Sequence, residues 1–156
     1  GEDAPGPGGL RLAPSPETVA ALPYYELHPV GLEQRRAITL IRAAKRAAWL
    51  EEAVSMDRRS AFARLQAIPG VGAWTAAEVA RGAFGDPDAV SVGDYHVPNL
   101  VCWVLAGEPR GDDARMLELL EPYRGQRARL VRILERSGVR PPRYGPRLAP
   151  QRIERL

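Results

Sequence analysis

The residues of this chain best suited to chemistry lie in two neighbouring stretches. Leu65-Gln-Ala-Ile-Pro-Gly-Val-Gly-Ala-Trp-Thr-Ala-Ala-Glu-Val-Ala80 reads as two short helices joined by a hairpin, and a turn-rich loop beyond it closes on Gly93-Asp94-Tyr95-His96. Pro69 ends one element, Gly70 and Gly72 permit backbone conformations closed to other residues, and the next helix starts near Ala73. With no Cβ at Gly70 or Gly72, a bulky anion can come within hydrogen-bond reach of the main chain across Gly70, Val71, Gly72, Ala73 and Thr75. The positive end of the second helix then lies behind that anion. The geometry suits a nucleic-acid phosphate, and no side chain in it reads a base. Asp94 opens a predicted helix, where the dipole favours its ionised form. Its ordinary role at such a place is an N-cap.

Ile68-Pro-Gly-Val-Gly72, then Trp74-Thr75-Ala76, then a Gly/Pro-containing loop ending at Asp94, resembles the helix-hairpin-helix DNA glycosylases with a Gly/Pro-Asp loop, enzymes of base-excision repair. Within that superfamily the 3-methyladenine (alkylbase) branch is the most similar, and the resemblance runs from about Ser15 to Ser137. The hairpin alone is shared with many non-enzymatic DNA-binding proteins. The Asp placed 22 residues after the second glycine, as Asp94 follows Gly72, is the more specific part.

The resemblance implies that Asp94 is catalytic and that the partner is double-stranded DNA carrying a damaged base. Breaking an N-glycosidic bond builds positive charge on the sugar, so a carboxylate is needed beside C1′. Asp94 would steady that charge and orient or activate water, and capping a helix is compatible with both tasks. In bifunctional relatives a lysine stands at the place of Trp74 and attacks C1′; an indole cannot, which implies a monofunctional, water-using enzyme. Trp74 and Tyr95 are the candidate walls of a base pocket, since an aromatic face attracts a cationic alkylated purine. Ordinary packing is the competing role for both. Glu78, one turn after Trp74, and Arg132 are charged where aromatics are usual in the branch. The lesion is therefore left open.

Composition bounds the rest. The chain has 156 residues, a net charge of +3 and 22 Lys+Arg, of which Lys45 is the one lysine, with a pI near 9.4. Arginine excess favours a phosphate-rich partner, although GC-rich coding produces it too. Cys102 is the sole cysteine, which excludes an intrachain disulfide and any four-thiolate zinc or iron–sulfur site. His28, His96 and Cys102 have no metal-ligand spacing, so no metal cofactor is expected beyond a monovalent cation at the hairpin, which the resemblance allows. No apolar run spans a bilayer and no signal peptide opens the chain. The expectation is a soluble, cytoplasmic, nucleoid-associated protein without a membrane partner.

The elements that must position these residues are all helical. Residues 1–14 read as a flexible lead-in, 15–138 as the helical domain, and 139–156 as an Arg/Pro-rich tail. Ser15 and Pro16 start a helix that stops before Pro23, and a connector at 24–29 leads to a helix over 32–48. That helix puts Ala37, Leu40, Ile41 and Ala44 on one face and Arg35, Arg42 and Arg46 elsewhere. A short helix follows around 49–54, with another after Asp57. Gly82 to Gly93 is predicted as loop, with Asp86 and Asp88 serving turns. Helices then cover 95–105, a stretch after Asp112, and 126–136 with Gly138 as its cap glycine. Trp49 and Trp103 read as core. Arg129, Arg132 and Arg136 form a basic face, solvated or phosphate-facing. The resemblance also implies further chain before Gly1, carrying core helices and the residue that wedges into the duplex. These residues by themselves are then expected to be a C-terminal fragment, inactive alone and inclined to self-associate through an exposed apolar face.

Overall fold

Ser15 opens the first helix as the sequence predicts: its Oγ accepts the Thr18 N–H at 3.2 Å, and Pro16 takes the first position of α1, Pro16–Ala21. The computed structural model describes residues 3–6 and 8–142. The parts of the predicted lead-in at 1–2 and 7, and of the predicted tail from 143 onward, lie outside the described residues. A 3-10 helix at Tyr24–Val30, ended by Gly31, occupies the predicted connector.

The helix expected over 32–48 is broken in two. α2 is Gln34–Ala44 and α3 is Ala47–Glu51, with Lys45 and Arg46 in a turn. Arg46 leaves helical geometry at φ −120°, ψ 22°, and its guanidinium carbon lies 5.5 Å from the Trp49 ring centroid. The Arg64 guanidinium lies 4.6 Å from the same ring and donates to the Trp49 carbonyl at 2.6 Å. Trp49, expected in the core, is half-buried and packed with two cations instead. Trp103 is half-buried too.

Asp57 caps α4, Arg58–Gln66, by accepting the Ser60 N–H at 3.1 Å. α5 is Ala73–Ala83, so Gly82, predicted in the loop, is helical. The cause is local: Phe84 N–H still bonds the Ala80 carbonyl at 3.2 Å, and the Phe84 ring packs with Ala77, Ala80 and Ala89. α6 is Val97–Ala106, with Pro98 tolerated in its first turn. Asp112 caps α7, Asp113–Leu120, and a 3-10 turn at Glu121–Tyr123 leads to α8, Arg127–Arg136, closed by Gly138 at φ 77°.

The fold is all-α: among the described residues no strand forms, and one isolated bridge joins Asp3 and Arg11. α1 and α2 enclose Val19, Leu27, Ala37 and Ile41. α6, α7 and α8 enclose Val97, Val101, Met116, Leu120, Val131 and Leu134. α5 packs chiefly on α4, and its Ala76, Ala77 and Ala80 are fully buried; small side chains there let neighbouring elements approach its backbone. The hairpin and Asp94 therefore rest on a helix fixed along its inner face.

Candidate nucleic-acid interface and carboxylate site

The turn from α4 to α5 is anchored by Ile68, which is 1% exposed and accepts the Val71 N–H at 2.9 Å. Gly70 has φ +102°, and a Cβ built there would lie 2.1 Å from Thr39 Oγ1. Both backbone conformation and close packing on α2 thus require glycine at this position. Gly72 differs from expectation. Its φ −90° and ψ −178° are ordinary extended values, and a Cβ there would meet nothing within 4 Å. What Gly72 offers is open space, not a special conformation. Gly70, Gly72 and Ala73 are exposed, Val71 and Thr75 half-buried, and no side chain caps the first turn of α5. The first-turn N–H groups of α5 thus have no side-chain partner at the cap.

Asp94 sits one loop further on and is tied from two directions. Its Oδ1 accepts the backbone N–H groups of His96 at 2.7 Å and Val97 at 2.9 Å, which holds the bend before α6; the helix itself starts at Val97 with His96 at its N-cap, two residues later than the expected start at 95. Its Oδ2 accepts the indole N–H of Trp74 at 2.8 Å. Partial burial pushes the carboxyl pKa up, but the Val97 and His96 N–H groups, then the Trp74 indole, outweigh it and hold the group below the usual carboxylate range. Asp94 is therefore ionised at neutral pH and half-exposed. Trp74 is the second residue of α5, so this bond sets the carboxylate within a turn of the hairpin amides.

One turn along α5, Glu78 accepts a hydrogen bond from the Ser91 hydroxyl and another from Arg81 Nη2 at 2.7 Å. Arg81 Nη1 also reaches Glu135 of α8 at 3.3 Å. Trp74–Asp94 and Glu78–Ser91 are thus successive ties between α5 and the loop, a relationship that only the unusual charge at position 78 hinted at. Trp74 is 43% exposed, and Tyr95, a predicted pocket wall or packing residue, is 80% exposed with its ring 5.0 Å edge-on to His96. Tyr95 therefore packs no core. Its turn position before α6 directs it outward.

The loop itself is held more firmly than a turn role implies. Asp88 is 6% exposed and accepts N–H groups from Gly125 at 2.8 Å, Arg127 backbone at 3.1 Å and Arg127 Nε at 2.7 Å. Hydrogen bonds from Arg127 hold its carboxyl down at about 2, against a smaller push upward from burial. Asp86 does serve a turn, accepting the Asp88 N–H at 2.8 Å, and it also pairs with Arg58 at 2.8 Å. Gly93 N–H, just before Asp94, donates to Asp113 at 2.9 Å. Nothing in the local pattern around Pro87 announces that Asp88 reaches α8. A cavity of about 220 Å³ lined by Met56, Phe62, Phe84 and Pro87 among others shares no residue with Trp74, Asp94 or the hairpin.

Among the described residues no helix is long and apolar enough to cross a membrane, and no cluster of three His, Cys, Asp or Glu could hold a metal ion. Cys102 is buried. No known protein family and no curated protein matches the chain.

Proposed function

We propose that this chain belongs to a monofunctional DNA glycosylase of the helix-hairpin-helix kind, which hydrolyses the N-glycosidic bond of an alkylated base. The observation that carries the reading is the ionised Asp94 carboxylate, fixed through Trp74 to the helix whose N-terminus carries the open hairpin. A phosphate seated on the hairpin amides brings its strand past Asp94. With the damaged nucleotide turned out of the stack, the bond from C1′ to the base nitrogen breaks and its electron pair leaves with the base. Asp94 balances the charge that grows on the sugar, and water supplies the oxygen that bonds to C1′. One water proton passes to solvent or to the departing base. Positive charge on the alkylated base makes it a better leaving group and attracts it to the exposed Trp74 face.

A monovalent cation at the hairpin would share carbonyls that already have partners, Ile68 with the Val71 N–H and Pro69 with Arg42. No step of the reaction runs through it. The substrate reading implies a DNA-associated location within the cell.

A second reading is a non-catalytic module that grips duplex DNA without regard to sequence. It is favoured by the capping bonds of Asp94, which give that residue a structural purpose of its own. Incubating the full-length protein with methylated duplex and measuring free base separates the two. Release of alkylated base supports the enzyme, and salt-sensitive binding without release supports the module.

A further inference from the structure

α2 carries a basic strip that the hairpin does not account for. At 3.6 residues per turn, Arg35, Thr39 and Arg42 fall within about 60° of one another around α2. Arg46, two residues past the helix end and out of helical geometry, is basic as well, its guanidinium carbon 5.5 Å from the Trp49 ring centroid. Thr39 fixes where this face points. It is the side chain that Gly70 packs against, and its hydroxyl donates to the Arg35 carbonyl at 2.9 Å. Arg42 Nη1 reaches the Pro69 carbonyl at 3.5 Å, so its guanidinium stands at the hairpin with most of its donors unused.

Arg35, Arg42 and Arg46 are all exposed, and none has a carboxylate within ion-pair distance among the described residues. Most other arginines differ. Arg36 on the same helix pairs with Glu33 at 3.4 Å, and Arg58, Arg81, Arg115, Arg124 and Arg127 all have acidic partners. Among the described residues Arg59 at the start of α4 and Arg129, Arg132 and Arg136 on α8 also have no carboxylate within ion-pair distance, and α8 packs on α6. A guanidinium without a carboxylate partner keeps its charge for an external anion, and Arg42 does so at the hairpin itself. Along α2, Arg35 and Arg42 are about 10 Å apart. Successive phosphates of one strand rise about 3.4 Å each along the duplex axis, so a strip of that length can meet more than one.

We infer that Arg35, Arg42 and Arg46 extend the hairpin cradle into a phosphate-contacting strip along α2, whose partner is the sugar–phosphate backbone of duplex DNA. This inference rests on the nucleic-acid side of the reading above and is independent of catalysis. The test is binding of the full-length protein to an undamaged duplex, followed by fluorescence anisotropy from about 50 to about 200 mM salt. Each of Arg35→Gln, Arg42→Gln and Arg46→Gln is expected to weaken binding several-fold for any sequence and to reduce the salt slope by about 1. Arg42→Lys keeps a point charge and should recover most of the slope. Arg124→Gln, whose side chain is already paired with Glu121, should leave the slope unchanged.

Unchanged slopes in all three strip variants, or an equal fall in Arg124→Gln, overturn the strip while leaving the hairpin and Asp94 reading intact. Displacement of the duplex by polyglutamate at equal charge concentration would likewise overturn it, by making an acidic protein the better partner. Absence of salt-sensitive binding by the wild-type protein would sink both the strip and the functional reading.

Discussion

Trp74 and Asp94 are joined by a 2.8 Å hydrogen bond from the indole N–H to Oδ2, and that bond couples the hairpin helix to the loop bearing the carboxylate. Oδ1 of the same group holds the start of α6. One carboxylate thus fixes the relation between two helices while keeping an unfilled acceptor direction on Oδ2. A side chain that caps one helix through one oxygen can still present its charge through the other.

Replacing Trp74 by Phe keeps an aromatic face and removes the donor. Loss of a bond to a charged, half-exposed acceptor is expected to lower stability by about 1 kcal/mol. The Asp94 pKa should rise towards the ordinary carboxylate value, since one of the groups holding it down is gone. Single-turnover base release should slow by about tenfold or more as the carboxylate loses its fixed direction. Thermal melting and the release rate check both parts, and an unchanged rate would leave the Trp74–Asp94 tie without a role in turnover.

The two hairpin glycines should separate folding from binding. Gly70→Ala meets Thr39 at 2.1 Å in a positive-φ conformation and should cost roughly 1–3 kcal/mol in denaturant unfolding. Gly72→Asp enters open space at an N-cap position that aspartate favours, so stability should hold or rise. Its charge nevertheless repels phosphate. Titration with duplex should find Gly72→Asp weakened at full stability. Wild-type affinity in that variant would remove the hairpin from the interface.

Asp88 makes the loop acid-sensitive. Its folded-state pKa of about 2 lies below the ordinary value near 3.8, so the group stabilises the fold above that ordinary value. The contribution, roughly 2 kcal/mol, fades as pH falls from about 4 to about 2. Asp88→Asn should lower stability at neutral pH by about 3 kcal/mol, because Arg127 loses its buried partner. It should also flatten the stability profile between pH about 4 and about 2. Urea unfolding across that range measures both, and an unaltered profile would show that another carboxylate sets the acid limb.

Much of the framework was legible because it is written in short-range chemistry. Ser15, Asp57 and Asp112 each accept an N–H three residues on, and Gly138 closes α8, all from local residue preferences. Asp94 likewise accepts an N–H three residues on, although His96 and not Asp94 stands at the N-cap of α6. What escaped depends on partners distant in the chain. Asp88 finds Arg127 39 residues away, Gly70 is dictated by Thr39 on α2, and the break at Lys45–Arg46 accompanies Trp49 packing with Arg46 and Arg64. For Tyr95 only the packing role weighed from the sequence is excluded, because its place before α6 leaves the ring 80% exposed.

The most direct test is Asp94→Asn in the full-length protein, assayed for base release from methylated duplex alongside duplex affinity and melting. Asparagine keeps the capping oxygen, so stability should change by no more than about 1 kcal/mol and DNA binding should persist. The expected result is base release by the wild type and a fall of about 10²- to 10³-fold or more in the variant. Release at the wild-type rate by Asp94→Asn, or none from the wild type, would contradict a catalytic Asp94.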